Sequence, residues 1–164
     1  MKIRNNAILF LLTFIFCIAV FALVLFASKK TVFHDYKVFE NESWNADSIV
    51  TFDYSVSDTI SKNKIIIKLK HTTDYSFQNL FLFVKGEKKD TIELLLANKE
   101  GEWVGKGVGN LREVEFLYAE SKKFSKKGSF VFELEQAMRY GPLEKIQELN
   151  HIKAVGLTIK KSDE

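Results

Sequence analysis

Three histidines and one cysteine are the residues of this chain best suited to metal binding or nucleophilic chemistry. Their spacing argues against both. His34, His71 and His151 are scattered, and none has another histidine or a cysteine two, three or four positions away. A zinc-type site draws its ligands from such short spacings, so exposed or capping histidine is the ordinary reading. Cys17 sits in the middle of an apolar run, where a thiol serves as a small apolar packer. Gly105, Gly107 and Gly109 form a G-x-G-x-G row. A phosphate-cradling turn needs a strand before it and a helix after it. Here strand-like "LREVEFLY" follows, so these read as turn or bulge glycines. Glycoside hydrolysis would need two carboxylates facing each other across a cleft. Asp53, Glu133 and Glu135 fall on outward strand faces, and nothing pairs any two of them. The chain is therefore expected to be non-enzymatic, with no catalytic residue, no metal and no cofactor.

Three other groups of residues suit binding. Lys122, Lys123, Lys126 and Lys127 in "KKFSKKG" could meet anionic lipid headgroups or a polymer. Glu113, Glu115 and Glu120 lie close in sequence, which favours a solvated loop. Aromatic residues are plentiful, and Trp44, Tyr75, Phe77, Trp103 and Tyr140 fall at or near strand ends. A sugar-stacking platform is one use of them. It requires two or three of Trp44, Tyr75, Trp103 and Tyr140 to form one exposed flat row, whereas core filling is the common use. Lastly, "QAMR" places Arg139 at a strand end, where a guanidinium can bond a carboxylate bidentately. An internal salt bridge that pins the next element competes with a contact to a partner. Arg139, Gln136 and Trp103 are the candidate partner-binding residues.

The N-terminal element decides where such residues work. Ala7 to Ala27 carries no charge. As a helix it would be about 30 Å long, the hydrocarbon thickness of a bilayer. Lys2 and Arg4 precede it, and the run exceeds the apolar centre of an ordinary secretory signal. An uncleaved transmembrane signal anchor over residues 1–27 is expected. Lys29 and Lys30 oppose Lys2 and Arg4 in a count of flanking charges, but the basic-then-apolar order is that of export, so the remainder is placed outside the cytoplasm. Setting aside Lys2 and Arg4 lowers the formal charge from +3 to about +1, which is no nucleic-acid signature. With no cysteine after Cys17, a disulfide framework is excluded and the core must carry the fold.

Period-2 alternation recurs through the rest. Val50, Phe52, Tyr54 and Val56 share a face, as do Ile65, Ile67 and Leu69, then Ile92, Leu94 and Leu96. Phe130, Phe132 and Leu134 repeat the pattern, and Val155, Leu157 and Ile159 close it. "NLFLFV" is apolar on both faces and reads as a central, doubly covered strand. "GPLEKIQELNH" differs: Pro142 suits a first helical turn, and Leu143, Ile146 and Leu149 are three apart. One short helix is expected there. Short strands with one C-terminal helix give an all-β fold, an antiparallel β-sandwich or jelly roll over residues 48–164. Residues 28–47 read as a lead-in from the membrane.

Several stretches are similar to the gliding-motility lipoproteins of the GldH type: "VFHDYKVFENESWNADSIVTF", "YSFQNLFLFV", "KKDTIELLLANKEGEWVGKGVGN", "FSKKGSFVFELEQAMR" and "IKAVGLTIKK". The resemblance covers residues 32–161 in that family's order. It implies a membrane-associated, periplasm-facing Bacteroidetes protein, which with the apolar run is expected at the inner membrane, on its periplasmic face. It also implies an accessory of gliding motility linked to the type IX secretion machinery, with other envelope proteins as partners. No enzymatic activity, cofactor or defined binding residue comes with it. Family members carry a lipidated cysteine just before the equivalent of "TVFHDY". Here Ser28 stands in that place, after Leu25, Phe26 and Ala27, and a serine cannot supply the thioether. Cys17 is a poor substitute, because bulky Phe16 precedes it. Lipidation is therefore not expected, and the apolar helix itself is expected to be the anchor. A carbohydrate-binding module of the cell envelope is the alternative reading.

Overall fold

The alternating segments become ten strands, every pair of them antiparallel, in a computed structural model that describes residues 10–21, 30–142 and 144–162. They are β1 (Thr31–Val38), β2 (Ser43–Asn45), β3 (Val50–Val56), β4 (Asn63–Thr72) and β5 (Asn79–Lys85). β6 (Lys89–Leu95), β7 (Leu111–Lys122), β8 (Gly128–Gln136), β9 (Glu148–Asn150) and β10 (Ile152–Lys161) follow. One four-stranded sheet has the order β1-β10-β4-β7, a second β3-β8-β5-β6, and β2 pairs with β9. The pairings nest: β1 with β10, β2 with β9, β3 with β8, β4 with β7, β5 with β6. The chain is thus one long hairpin, turning between β5 and β6, rolled so that its two arms alternate between sheets. That is jelly-roll topology.

One core lies between the sheets. Phe52, Leu80, Leu82 and Leu134 of the second sheet meet Ile67, Leu69, Val155 and Leu157 of the first, all inaccessible to solvent or nearly so. Aromatic contacts bridge the two layers, with Phe33 on Phe52 at 6.2 Å and Tyr118 on Phe132 at 5.6 Å between ring centroids. Each fully buried Leu or Phe contributes roughly 1.5–3 kcal/mol. The inward faces expected for β3, β4, β8 and β10 are the buried ones.

Three expectations are corrected. Of the expected lead-in over residues 28–47, the part from Thr31 onward belongs to the fold: β1 is an edge strand of the first sheet, and Trp44 on β2 is fully buried. The short helix expected in "GPLEKIQELNH" does not form among the described residues. Glu148–Asn150 is strand β9, and the residues before it spend their backbone groups on neighbours, Ile146 N–H on the Met138 carbonyl and the Gln147 carbonyl on Ala46 N–H. Spacing by three served there to seat Ile146 and Leu149 on the core from an extended chain; Leu143 lies outside the described residues.

The third correction is that β5 is central in its sheet yet covered on one face only. Phe81 and Phe83 remain 37% and 41% exposed. The strand buried on both faces is β10, buried from Ala154 to Ile159. On its outer side the Tyr36 ring lies over Gly156, 2.6 Å from where a Cβ would stand, and Lys70 Nζ sits 4.1 Å above that ring. Glycine is required there by the close approach of the ring. The expected anchor falls only in part on the described residues. Residues 10–21 form a helix, α1, with Cys17 exposed on it. Among the described residues no helix is long and apolar enough to cross a membrane. The ends of the expected span, residues 7–9 and 22–27, lie outside the described residues, as does Ser28.

Candidate functional site

β5 places Phe81 and Phe83 on the outer face of the second sheet because Leu80, Leu82 and Val84 occupy the core side. On β5, Phe83 stands opposite Thr91 of β6 and Glu135 of β8, and Phe81 opposite Glu93. Ile49, just before β3, and Val131 on β8 are also exposed, at 56% and 47%. The surface is framed by charge. Lys85 Nζ bonds Glu133 at 2.6 Å, and Asn79 Nδ2 donates to Glu93 at 2.6 Å. A groove runs along it, lined by Ile49, Phe83, Lys85, Thr91 and Glu133. A smaller one is lined by Phe81, Phe83, Thr91, Ala137 and Arg139.

Arg139 enters this face because the chain past β8 stays extended alongside β5. Ala137 N–H donates to the Phe81 carbonyl at 2.8 Å, and Phe81 N–H points at Met138 Sδ at 3.3 Å. Arg139 is exposed, and among the described residues it forms no ion pair and no side-chain hydrogen bond. The internal salt bridge weighed for it is not formed among these residues. Gln136 has a different place. It is 3% exposed, donates from Nε2 to the Ile146 carbonyl at 2.7 Å and accepts Met138 N–H at 3.0 Å. Its amide ties the end of β8 to the segment leading into β9. Trp103 is half-buried, with its ring 4.9 Å from His71 and 6.5 Å from Tyr75. Of the three residues singled out, only Arg139 faces solvent freely.

The remaining motifs resolve into structure. Trp44 and Tyr75 are buried and Trp103 is packed on His71, so among those aromatics only Tyr140, edge-on to Phe77 at 5.9 Å, is exposed. The flat sugar-stacking row does not form. Gly105 and Gly107 flank a bridge between Lys106 and Glu113. A Cβ on Gly107 would lie 1.8 Å from the Leu111 carbonyl oxygen. They permit backbone apposition and belong to no helix N-terminus. His71 is fully buried, not exposed or capping as expected. Nδ1–H donates to the Thr72 carbonyl at 2.9 Å, which leaves Nε2 with no partner among the described residues. Burial holds its pKa below the usual histidine value, with Arg112 adding to the effect and the Thr72 bond opposing it. Among the described residues no group of three His, Cys, Asp or Glu side chains is arranged to hold a metal.

The molecule is thus an antiparallel jelly roll whose accessible outer sheet face carries two phenylalanines and an uncommitted arginine, features of a binding domain. Comparison with known proteins places it further. The GldH lipoprotein family model matches residues 31–159, and the chain belongs to that family. It is 35% identical to the gliding motility lipoprotein GldH of Flavobacterium johnsoniae, across 99% of this chain and 100% of that protein. It is 36% identical to a gliding motility lipoprotein GldH homolog of Christiangramia forsetii, across 89% of this chain and 94% of that one. Among solved structures, the VP2 subviral particle of infectious bursal disease virus aligns with 15% identity and a TM-score of 0.27, over 79% of this chain and 32% of that one. The matched block begins with β1, in keeping with the place of β1 in the sheet.

Proposed function

We propose that this chain is a non-enzymatic accessory of gliding motility, linked to type IX secretion. In this reading the N-terminal apolar run holds it at the inner membrane and the jelly roll faces the periplasm. The observation that carries it is the match along the full length of a gliding motility lipoprotein. The sheet face around Phe81, Phe83 and Arg139 supports a role by contact: it takes a protein partner that presents an apolar side chain to the phenylalanines and a carboxylate to the guanidinium. Ser28 supports anchorage by the helix alone, since a spanning helix holds more firmly than a single acyl chain.

The test is complementation of a gliding bacterium that lacks its own copy. The wild-type chain is expected to restore spreading and to fractionate with the inner membrane. Failure to restore spreading at normal protein levels would refute the motility role. Intact mass of the membrane form examines the anchor separately. The unmodified full-length mass is expected, whereas a lipid adduct on Cys17 or a chain starting near Ser28 would overturn it.

A further inference from the structure

One end of the jelly roll gathers the lysines that the sequence scatters. Thr31 begins β1 opposite Lys160, and the Lys30 carbonyl accepts Lys161 N–H at 2.8 Å. The β3–β4 loop ends beside them, with the Lys62 carbonyl accepting Ser162 N–H at 2.8 Å. The β7–β8 loop is at the same end, because Lys122 pairs with Asn63 in register and Gly128 with Val56. This loop is not a loose tether. Phe124 is buried against Tyr54 and Phe130, at 6.1 and 5.2 Å, so that its neighbours are turned outward.

Three acids of this end are already matched. Asp58 binds Lys161 at 2.7 Å, which together with Ser61 holds its carboxyl well below the usual range. Glu87 binds Lys122, and Glu120 lies 3.9 Å from Lys64. Lys62, Lys123, Lys126 and Lys127 are exposed and form no ion pair among the described residues. They exceed Asp90, the unpaired acid of this end among the described residues; Asp163 and Glu164 lie outside those residues. Ile60, 83% exposed, stands at the tip of the β3–β4 loop among them. At the opposite end Glu40, Asp74, Glu100 and Glu144 form no ion pair among the described residues, but neither do Lys99, Lys106, Arg112 and Arg139, so these unpaired charges balance. Unpaired positive charge without a local counter-charge is therefore gathered at the end where β1 begins.

That end is also the one by which the chain is attached. The apolar run ends at Ala27 and β1 begins at Thr31, so the connection spans at most about 14 Å. The lysine-rich end is thus held near the surface of whatever bilayer the run occupies. That distance is comparable to the screening length at physiological salt, roughly 8–10 Å.

We propose that this end, with Lys62, Lys123, Lys126 and Lys127 around Ile60, docks on anionic lipid headgroups and stands the jelly roll upright on the membrane. The inference rests on the anchor reading above. Docking leaves the Phe81–Phe83–Arg139 face lateral, free for a protein partner. Each lysine near an anionic surface favours the docked state roughly fivefold, so losing four collapses it.

The test uses the full-length chain with Cys17→Ser and a nitroxide on Ser125→Cys, an exposed position between the lysines. Vesicles of phosphatidylcholine, with and without phosphatidylglycerol, carry a nickel-chelating lipid that broadens nearby nitroxides. A label on Glu100→Cys reports the far end. Strong broadening at Ser125 only with phosphatidylglycerol, relieved by high salt and abolished by Lys62→Glu with Lys123→Glu, Lys126→Glu and Lys127→Glu, supports docking. An unchanged thermal melt of that variant confirms that it folds. Equal broadening on both vesicle types, in protein that floats with both, overturns docking and leaves the anchor standing. Flotation with phosphatidylglycerol vesicles alone refutes the anchor while supporting the lysine surface.

Discussion

Arg139 and Gln136 are neighbours in sequence with opposite places in the structure, and substituting each by alanine separates binding from folding. Arg139 is exposed and uncommitted among the described residues. Surface changes of that kind stay within about 0.5 kcal/mol, a shift of roughly 1–3 °C in the melting midpoint at this size. A charge-assisted bond to a partner carboxylate contributes about 1.5–3 kcal/mol. Arg139→Ala should therefore melt like the parent and lose roughly 10–100-fold in partner affinity. Arg139→Lys keeps the charge but not the planar fork, so it should recover only part of that loss. Gln136→Ala removes the bonds to the Ile146 carbonyl and from Met138 N–H. At about 1 kcal/mol per bond, plus the cost of burying an unpaired group, it should destabilise by about 2–4 kcal/mol. The assay is thermal and urea unfolding of the detergent-solubilised full chain beside spreading of the complemented host. Normal spreading of Arg139→Ala at normal protein levels would refute the contact. A loss of stability in Arg139→Ala matching that of Gln136→Ala would show that the arginine is structural instead.

Acidification should weaken the fold through His71. Its folded pKa is depressed by burial, so below about pH 6.5 the unfolded chain takes up the proton first and stability falls, by up to about 1.4 kcal/mol per pH unit, until the folded pKa is reached. Urea midpoints measured from pH 7.5 downward should decline, and His71→Gln should flatten the decline between neutral pH and pH 5; an identical slope in that variant would exclude His71 as its source. Gly107→Ala sets a Cβ against the Leu111 carbonyl and must break the Lys106–Glu113 bridge, whose bonds measure 2.9 and 2.7 Å, so a loss of about 2–4 kcal/mol is expected. Gly109→Ala meets no atom within 4 Å and carries only the strain of φ +61°, about 1 kcal/mol; equal losses at the two positions would contradict the packing account. Phe124→Ala should cost about 3–5 kcal/mol by emptying its place beside Tyr54 and Phe130, read as a lowered urea midpoint.

Alternation along single segments was enough to identify most strands and their inward residues, because side-chain direction in an extended chain follows from position alone. It also sufficed to reject the glycine row as a phosphate loop, since the strand after it was legible. The same local reasoning failed where two readings share a pattern. Ile146 and Leu149 reach the core from extended chain as well as from a helix, and only the backbone bonds to Met138 and Ala46 decide between them. "NLFLFV" and "AVGLTIKK" both lie centrally in their sheets. Whether a central strand is covered on its outer face depends on what lies across it. Tyr36 covers Gly156 from a strand that starts more than a hundred residues away, and no described residue covers Phe81 and Phe83.

The candidate sites divide in the same way. Arg139, Gln136 and the lysine run were visible as residue types, but their roles depend on neighbours that the nested pairing brings from distant parts of the chain. By itself, the order of residues determined the family, the all-β character and an apolar run long enough for a bilayer. Only the tertiary structure decided which aromatics stay in water, that Gln136 is internal while Arg139 is not, and that lysines from three separate segments meet at the end where β1 begins. The physical reason is that hydrophobic period acts through adjacent residues, whereas burial and electrostatic polarity are sums over the whole folded surface.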